Sequence, residues 1–245
     1  MNSSVTFSPM GDQGLLVELG HSIDEAANRR VQSLREALLC HPKLQHAIRV
    51  MIPAFCSLLI LYRPDQITYQ RLKKAVQKAL QQPVSGSAAS RRIHCIPVCY
   101  GGAYGEDLAS VAESSGLSTE EVVRLHSGRD YLIYMLGFLP GFAYLGGLDE
   151  RLFCPRLDTP RTQIPAGSVG IGGEQTGIYP LSSPGGWRLI GRTPLRPYDA
   201  QRKPQFLYQM GEYIRFCPVG EDEYRRIEAG VQNGTYRPLI LEERL

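Results

Sequence analysis

The stretch that decides the fold runs from Leu136 to Arg192: LGFLPGFAYLGGLDERLFCPRLDTPRTQIPAGSVGIGGEQTGIYPLSSPGGWRLIGR. It holds about half of the chain's 25 glycines and its single tryptophan, Trp187. Each glycine costs backbone entropy on folding, so such crowding implies tight corners, positive φ, or backbone pressed against a neighbour. Prolines at 140, 155, 160, 165, 180 and 184 fix φ and forbid long regular helices. Between these breakers stand Phe138, Phe142, Tyr144, Tyr179 and Trp187, with Arg156, Arg161, Glu174, Gln175, Arg188 and Arg192. Two readings fit this composition. One is the corners and core of a small β-barrel; the other is the aromatic wall and polar fittings of a small-molecule site.

The flanks extend the barrel reading. Ile93 to Tyr100 reads as a strand turned by Gly101-Gly102, and a short helix around Leu108, Val111 and Ala112 closes at Gly116. Ser118-Thr119-Glu120-Glu121 is a capping box opening a second short helix. Tyr131 to Phe138, Gln205 to Tyr208 and Tyr213 to Phe216 read as strands, and Glu221 to Val231 as a helix. No structure is assigned to the tail from Tyr236. Short strands with many Gly/Pro corners predict a closed barrel with a few helices across it.

Residues 81–90 are polar, small and uncharged, as in a linker. Before them, apolar runs at Val5–Phe7 and Leu15–Leu19 flank a turn at Pro9–Asp12. Ile23, Ala27, Val31, Leu34 and Leu38 repeat at helical spacing, with Ser22 or Asp24 as N-cap. His46–Ile52 and Ser57–Tyr62 read as strands, and Leu72, Ala75, Val76, Ala79 and Leu80 as a second apolar helix stripe. The expected order is β-β-α-β-β-α. The domain division is an α+β domain over 1–84, a linker over 85–91, and a barrel domain over 92–245.

At 245 residues with 43% hydrophobic and 21% charged residues, the composition is that of an ordinary globular chain. A net charge of +3 and isolated Arg pairs give no nucleic-acid face. No window approaches a membrane span, and the N-terminus lacks a signal-peptide pattern. The six cysteines, at 40, 56, 95, 99, 154 and 217, have no metal-ligand spacing and are expected as reduced thiols in a cytoplasmic protein. There is no Walker loop, GxSxG elbow or HExxH. Gly170-Ile171-Gly172-Gly173 resembles a phosphate loop only loosely, because no helix pattern follows it. His126 fits two roles, a general base or a cap on helix carbonyls.

GFLPGFAYLGGL at 137–148, PRLDTPR at 155–161, IPAGSVGIGGEQTGIYP at 164–180 and SPGGWRLIGRTPL at 183–195 stand in an order and spacing that resembles the allophanate hydrolase subunit 1 family. IPVCYGG at 96–102 and VVRLHSGRDY at 122–131 match as well. The resemblance implies an α+β fold, a small α+β N-terminal domain followed by a cyclophilin-like β-barrel. It implies a non-autonomous subunit of ATP-dependent 5-oxoprolinase, with subunits C and A as partners and ATP shared with them; a metal is left open. The family also implies an alternative, inhibition of a sporulation-type histidine kinase through the barrel. A prolyl isomerase follows from the implied fold alone, and fold does not carry function.

For a carboxylate-bearing lactam, Phe142, Tyr144, Tyr179 and Trp187 are the expected ring walls. Arg161 or Arg192 is the expected fork for a carboxylate or phosphate. Gln175, Thr176 and the amides of Gly172 and Gly173 are expected to meet a carbonyl oxygen. His126 and Gln175 are the candidates for catalysis.

Overall fold

The computed structural model describes residues 5–21, 24–81 and 91–243. The chain divides into two compact units, Met1–Ala89 and Ser90–Leu245. The linker expected near residues 81–90 falls almost wholly outside the described residues, as do Ser22 and Ile23.

The first unit runs β1 (Thr6–Met10), β2 (Gly14–Glu18), α1 (Glu25–Leu39), β3 (Ile48–Pro53), β4 (Ser57–Tyr62), α2 (Tyr69–Leu80). Its antiparallel sheet has the order β1-β2-β4-β3. Asp24 starts α1 by accepting from the amides of Ala26 and Ala27, and Thr68 starts α2 by accepting from Arg71. The helical stripes then bury Val31, Leu34, Leu38, Leu72 and Val76 against Leu15, Val17, Leu58 and Ile60. Fully buried Asn28 donates to the carbonyls of Ala54 and Phe55, which fixes the β3–β4 turn to the helix.

The second unit carries β5 (Arg91–Tyr100), α3 (Leu108–Ser115), α4 (Thr119–Ser127), β6 (Asp130–Leu136), β7 (Ala143–Gly146), β8 (Arg161–Ile164), β9 (Ser168–Gly172), β10 (Gln175–Ile178), β11 (Ser183–Gly185), β12 (Arg188–Arg192), β13 (Tyr213–Pro218), α5 (Glu221–Gln232) and β14 (Ile240–Glu243). The main path is β10-β9-β12-β5-β13-β6-β7. Its two end strands, β7 and β10, lie against each other, so the sheet rolls into a nearly closed barrel. Inside sit Ile96, Val98, Tyr131, Ile133, Val169, Ile171, Ile178, Ile190, Ile214 and Phe216. Gly116 closes α3 in the left-handed conformation, and the Ser118/Glu121 capping box opens α4.

The structure corrects several expectations. Gln205 to Tyr208 is not a strand and makes one isolated bridge, Tyr198 to Phe206. The Arg202 guanidinium crosses this loop, donating to the oxygens of Arg196, Pro197, Pro204 and Gln205, and two backbone bonds, Asp199 amide to Gln205 and Leu207 amide to Pro197, complete it. The strand after Asp130 stops at Leu136, because Phe138 turns to φ +63. The tail forms β14, which pairs antiparallel with the first half of β5. Arg91, assigned above to the linker, is the first residue of β5. The six cysteines form no disulfide. No helix among the described residues is long and apolar enough to cross a membrane.

Candidate functional site

The glycine-rich hairpin β9–β10 explains its own composition. Val169 and Ile171 on β9, and Thr176 and Ile178 on β10, face the barrel interior. Strand alternation sends Gly170, Gly172, Gln175 and Gly177 to the other face. There Gln175 pairs with Gly172, and Gly177 with Gly170. The two-residue turn needs Gly173 at φ +66. The bed of glycine hydrogens is occupied by the Trp187 indole. A Cβ on Gly172 would come within 2.4 Å of Trp187 Cδ1 and Nε1; on Gly177 it would be 3.2 Å from Cζ3, and on Gly170 3.3 Å from Cβ. Phe142 and Tyr179 stand edge-on to the indole at 5.6 and 6.1 Å, and Tyr144 edge-on to Phe142 at 5.1 Å. With Ile164 and Leu189 they form a second small core on the outside of the barrel.

Charged groups frame this cluster. The Asp107 carboxylate accepts from the Leu189 amide at 2.7 Å and from Arg161 Nη2 at 2.9 Å. Arg161 Nε meets Glu106 at 3.1 Å, and Nη1 reaches the Trp187 carbonyl at 3.5 Å. Arg188 donates to the Pro155 carbonyl and to Ser110. Burial raises the Tyr179 phenol pKa, opposed by a hydrogen bond with the Trp187 backbone and by Arg156 and Arg161. Arg156 differs from the other two arginines. It is exposed, its guanidinium lies 6.0 Å over the indole, and neither a hydrogen bond nor an ion pair engages it among the described residues. Neither the Gln175 amide nor Trp187 Nε1 has a hydrogen-bond partner among those residues.

The expected site residues therefore part company. Phe142, Tyr144, Gly172, Gln175, Tyr179, Trp187 and Arg161 meet at the cluster, with Gly173 at the hairpin tip. The aromatic rings pack against one another, and two cavities of this unit, about 530 and 170 Å³, have none of them in their walls. The donors of Arg161 are already engaged. Arg192 turns elsewhere, over the Tyr104 ring and toward the Ala103 carbonyl.

His126 and Thr176 lie inside the barrel, both fully buried. Thr176 donates to the Gly170 carbonyl at 3.0 Å, so its oxygen accepts from His126 Nε2–H at 2.8 Å. Nδ1 is then the acceptor for the Tyr100 hydroxyl, also at 2.8 Å. Burial lowers the His126 pKa to about 3, and its ring stacks on Phe216. It is a neutral core histidine whose polar atoms are satisfied. No group of three or more His, Cys, Asp or Glu side chains placed to hold a metal occurs among the described residues.

Residues 5–208 match the family described as carboxyltransferase domain, subdomain C and D. The chain is 40% identical to the 5-oxoprolinase B subunit of Bacillus subtilis (strain 168) over 225 residues, 88% of this chain and 93% of that protein. The solved structure of TTHA0988 superposes with a TM-score of 0.75 at 38% identity, covering 84% of this chain and 40% of that one. The Kluyveromyces lactis urea carboxylase structure gives a TM-score of 0.79 over 98% of this chain and 24% of its own, at 22% identity, a likeness of fold alone. The chain belongs to the carboxyltransferase-domain family, subdomain C and D, alongside the proteins named as the B subunits of 5-oxoprolinases.

Proposed function

We propose that this chain is the B subunit of a cytoplasmic ATP-dependent 5-oxoprolinase, which opens 5-oxo-L-proline to L-glutamate together with subunits C and A. The observation that carries the reading is the 40% identity to a 5-oxoprolinase B subunit over 88% of the chain. The substrate is an unstrained lactam with a carboxylate. ATP transfers its γ-phosphoryl group to the lactam oxygen, leaving ADP. Water then adds to the activated carbon and the ring C–N bond breaks, leaving an acyl phosphate, which a second water hydrolyses to the carboxylate and inorganic phosphate. Such a sequence needs a grip on the carboxylate, donors for the developing oxyanion, and exclusion of bulk water until activation.

In this proposal Arg156 grips the carboxylate, since it is the cation of the cluster that neither a hydrogen bond nor an ion pair engages among the described residues. Trp187 Nε1–H and the Gln175 amide face the lactam oxygen. Arg161, held by Asp107 and Glu106, fixes β8 and β12 beneath them. The nucleotide clamp and any metal come from the partner subunits, which close over this face.

The test is Arg156→Gln in the reconstituted complex. KM for 5-oxoproline is expected to rise about tenfold or more, matching loss of one charge-assisted contact, with the complex still assembled on size exclusion. An unchanged KM removes Arg156 from the site. Absence of ATP-dependent turnover by the wild-type complex removes the function itself.

A further inference from the structure

Among the described residues, Phe138 is the single non-glycine residue with positive φ. It sits at the centre of a three-residue turn closed by the Leu139 amide, which donates to the Gly137 carbonyl at 2.7 Å. A γ-turn of this hand is strained, and most so for a bulky side chain. The loop enforces it: Gly137 donates to the Phe142 carbonyl and Phe142 to that of Leu139. The strain buries nothing in the free chain. The Phe138 ring is 65% exposed, the highest value among the large apolar side chains described. Its ring contact is Phe142, edge-on at 5.5 Å, and through Phe142 it joins the Trp187 cluster. The loop adjoins further exposed apolar surface, since Gly141 touches Tyr198, which packs on half-exposed Phe206.

We propose that Phe138 is the anchor by which this chain docks a second polypeptide, the one corresponding to the part of TTHA0988 that this chain leaves unmatched. The inference rests on the functional reading above. Its occupant follows from length: this chain spans 40% of TTHA0988, so there the same module is joined to more than its own length of further protein. An aromatic ring already fixed in direction by a strained turn loses little freedom on docking and suits the centre of an interface.

The experiment pairs the full chain with the polypeptide from the same genome that aligns to the unmatched part of TTHA0988. It measures their Kd by calorimetry and the melting temperature of the free chain. Phe138→Gly removes the ring and at once relieves the turn, because glycine accepts this φ freely. The expected result is a Kd weakened about tenfold or more with a melting temperature equal to or above wild type. An unchanged Kd overturns the anchor and leaves the functional reading standing. A lowered melting temperature overturns it too, by making the ring part of the fold. Loss of self-association with partner binding intact assigns the ring to a second copy and overturns it. No binding by the wild-type chain overturns both the anchor and the functional reading.

Discussion

Gly172→Ala tests whether the glycine bed exists to receive Trp187. The added Cβ would stand 2.4 Å from Trp187 Cδ1 and Nε1 and 2.7 Å from Cε2, more than 1 Å inside ordinary carbon contact. The indole has little room to retreat, because Phe142 and Tyr179 brace its edges. Overpacking of this kind costs about 1–3 kcal/mol. Replacing glycine restricts the unfolded chain and returns about 0.4–1 kcal/mol. The net loss is then about 1–2 kcal/mol, or a fall in melting temperature of roughly 2–8 °C for a domain of this size. Trp187 is the single tryptophan, so its fluorescence reports the same site directly. Gly172→Ala is expected to shift its emission to the red. In a Trp187→Ala background the penalty is expected to vanish, since the clashing partner is gone. Melting within about 1 °C of wild type with unchanged emission would refute the cradle, as would a penalty that persists without the indole.

Two further outcomes follow from the geometry. Asp107→Ala leaves the buried Leu189 amide and partly buried Arg161 without their acceptor, so it is expected to cost about 2 kcal/mol in chemical denaturation; a loss below about 0.5 kcal/mol, within the noise of a surface change, contradicts that role. His126 protonates near pH 6.5 when unfolded but only near pH 3 when folded. Between those values the unfolded state binds the extra proton, so stability is full above pH 6.5 and falls as pH drops, approaching about 1.4 kcal/mol per pH unit. His126→Gln is expected to flatten that slope, and an identical slope in the variant places His126 elsewhere.

What was legible in the sequence was local. Asp24 as N-cap, the Ser118/Glu121 box and the apolar helix stripes depend on neighbours within a few positions. The run SVGIGG was legible too once read as a strand: Val169 and Ile171 go in, Gly170 and Gly172 go out, and the likeness to a phosphate loop dissolves. Side-chain partners were not legible, because they come from far along the chain. Arg161 reads as a free anion fork until Asp107 arrives from 54 residues away. His126 reads as a general base or a cap on helix carbonyls until Thr176 and Tyr100 enclose it. The Arg202 guanidinium that gathers the carbonyls of the loop around 196–205 is equally invisible to a reading of strand pattern. The aromatic residues read as ring walls, but whether they line a hollow or fill it is a matter of packing that composition does not carry. Arg156 and Phe138 stood among the residues named in the central stretch. Only burial and dihedral angle set them apart from Arg161 and Phe142.

The central claim is that this chain is a necessary but insufficient part of a 5-oxoprolinase. Its most direct test is glutamate release from 5-oxo-L-proline with ATP by the purified subunits, with this chain present, omitted, or alone. The account predicts turnover in the full mixture and background levels both when this chain is left out and when it stands alone. Undiminished turnover by the partners without it, or steady turnover by this chain by itself, would contradict the account.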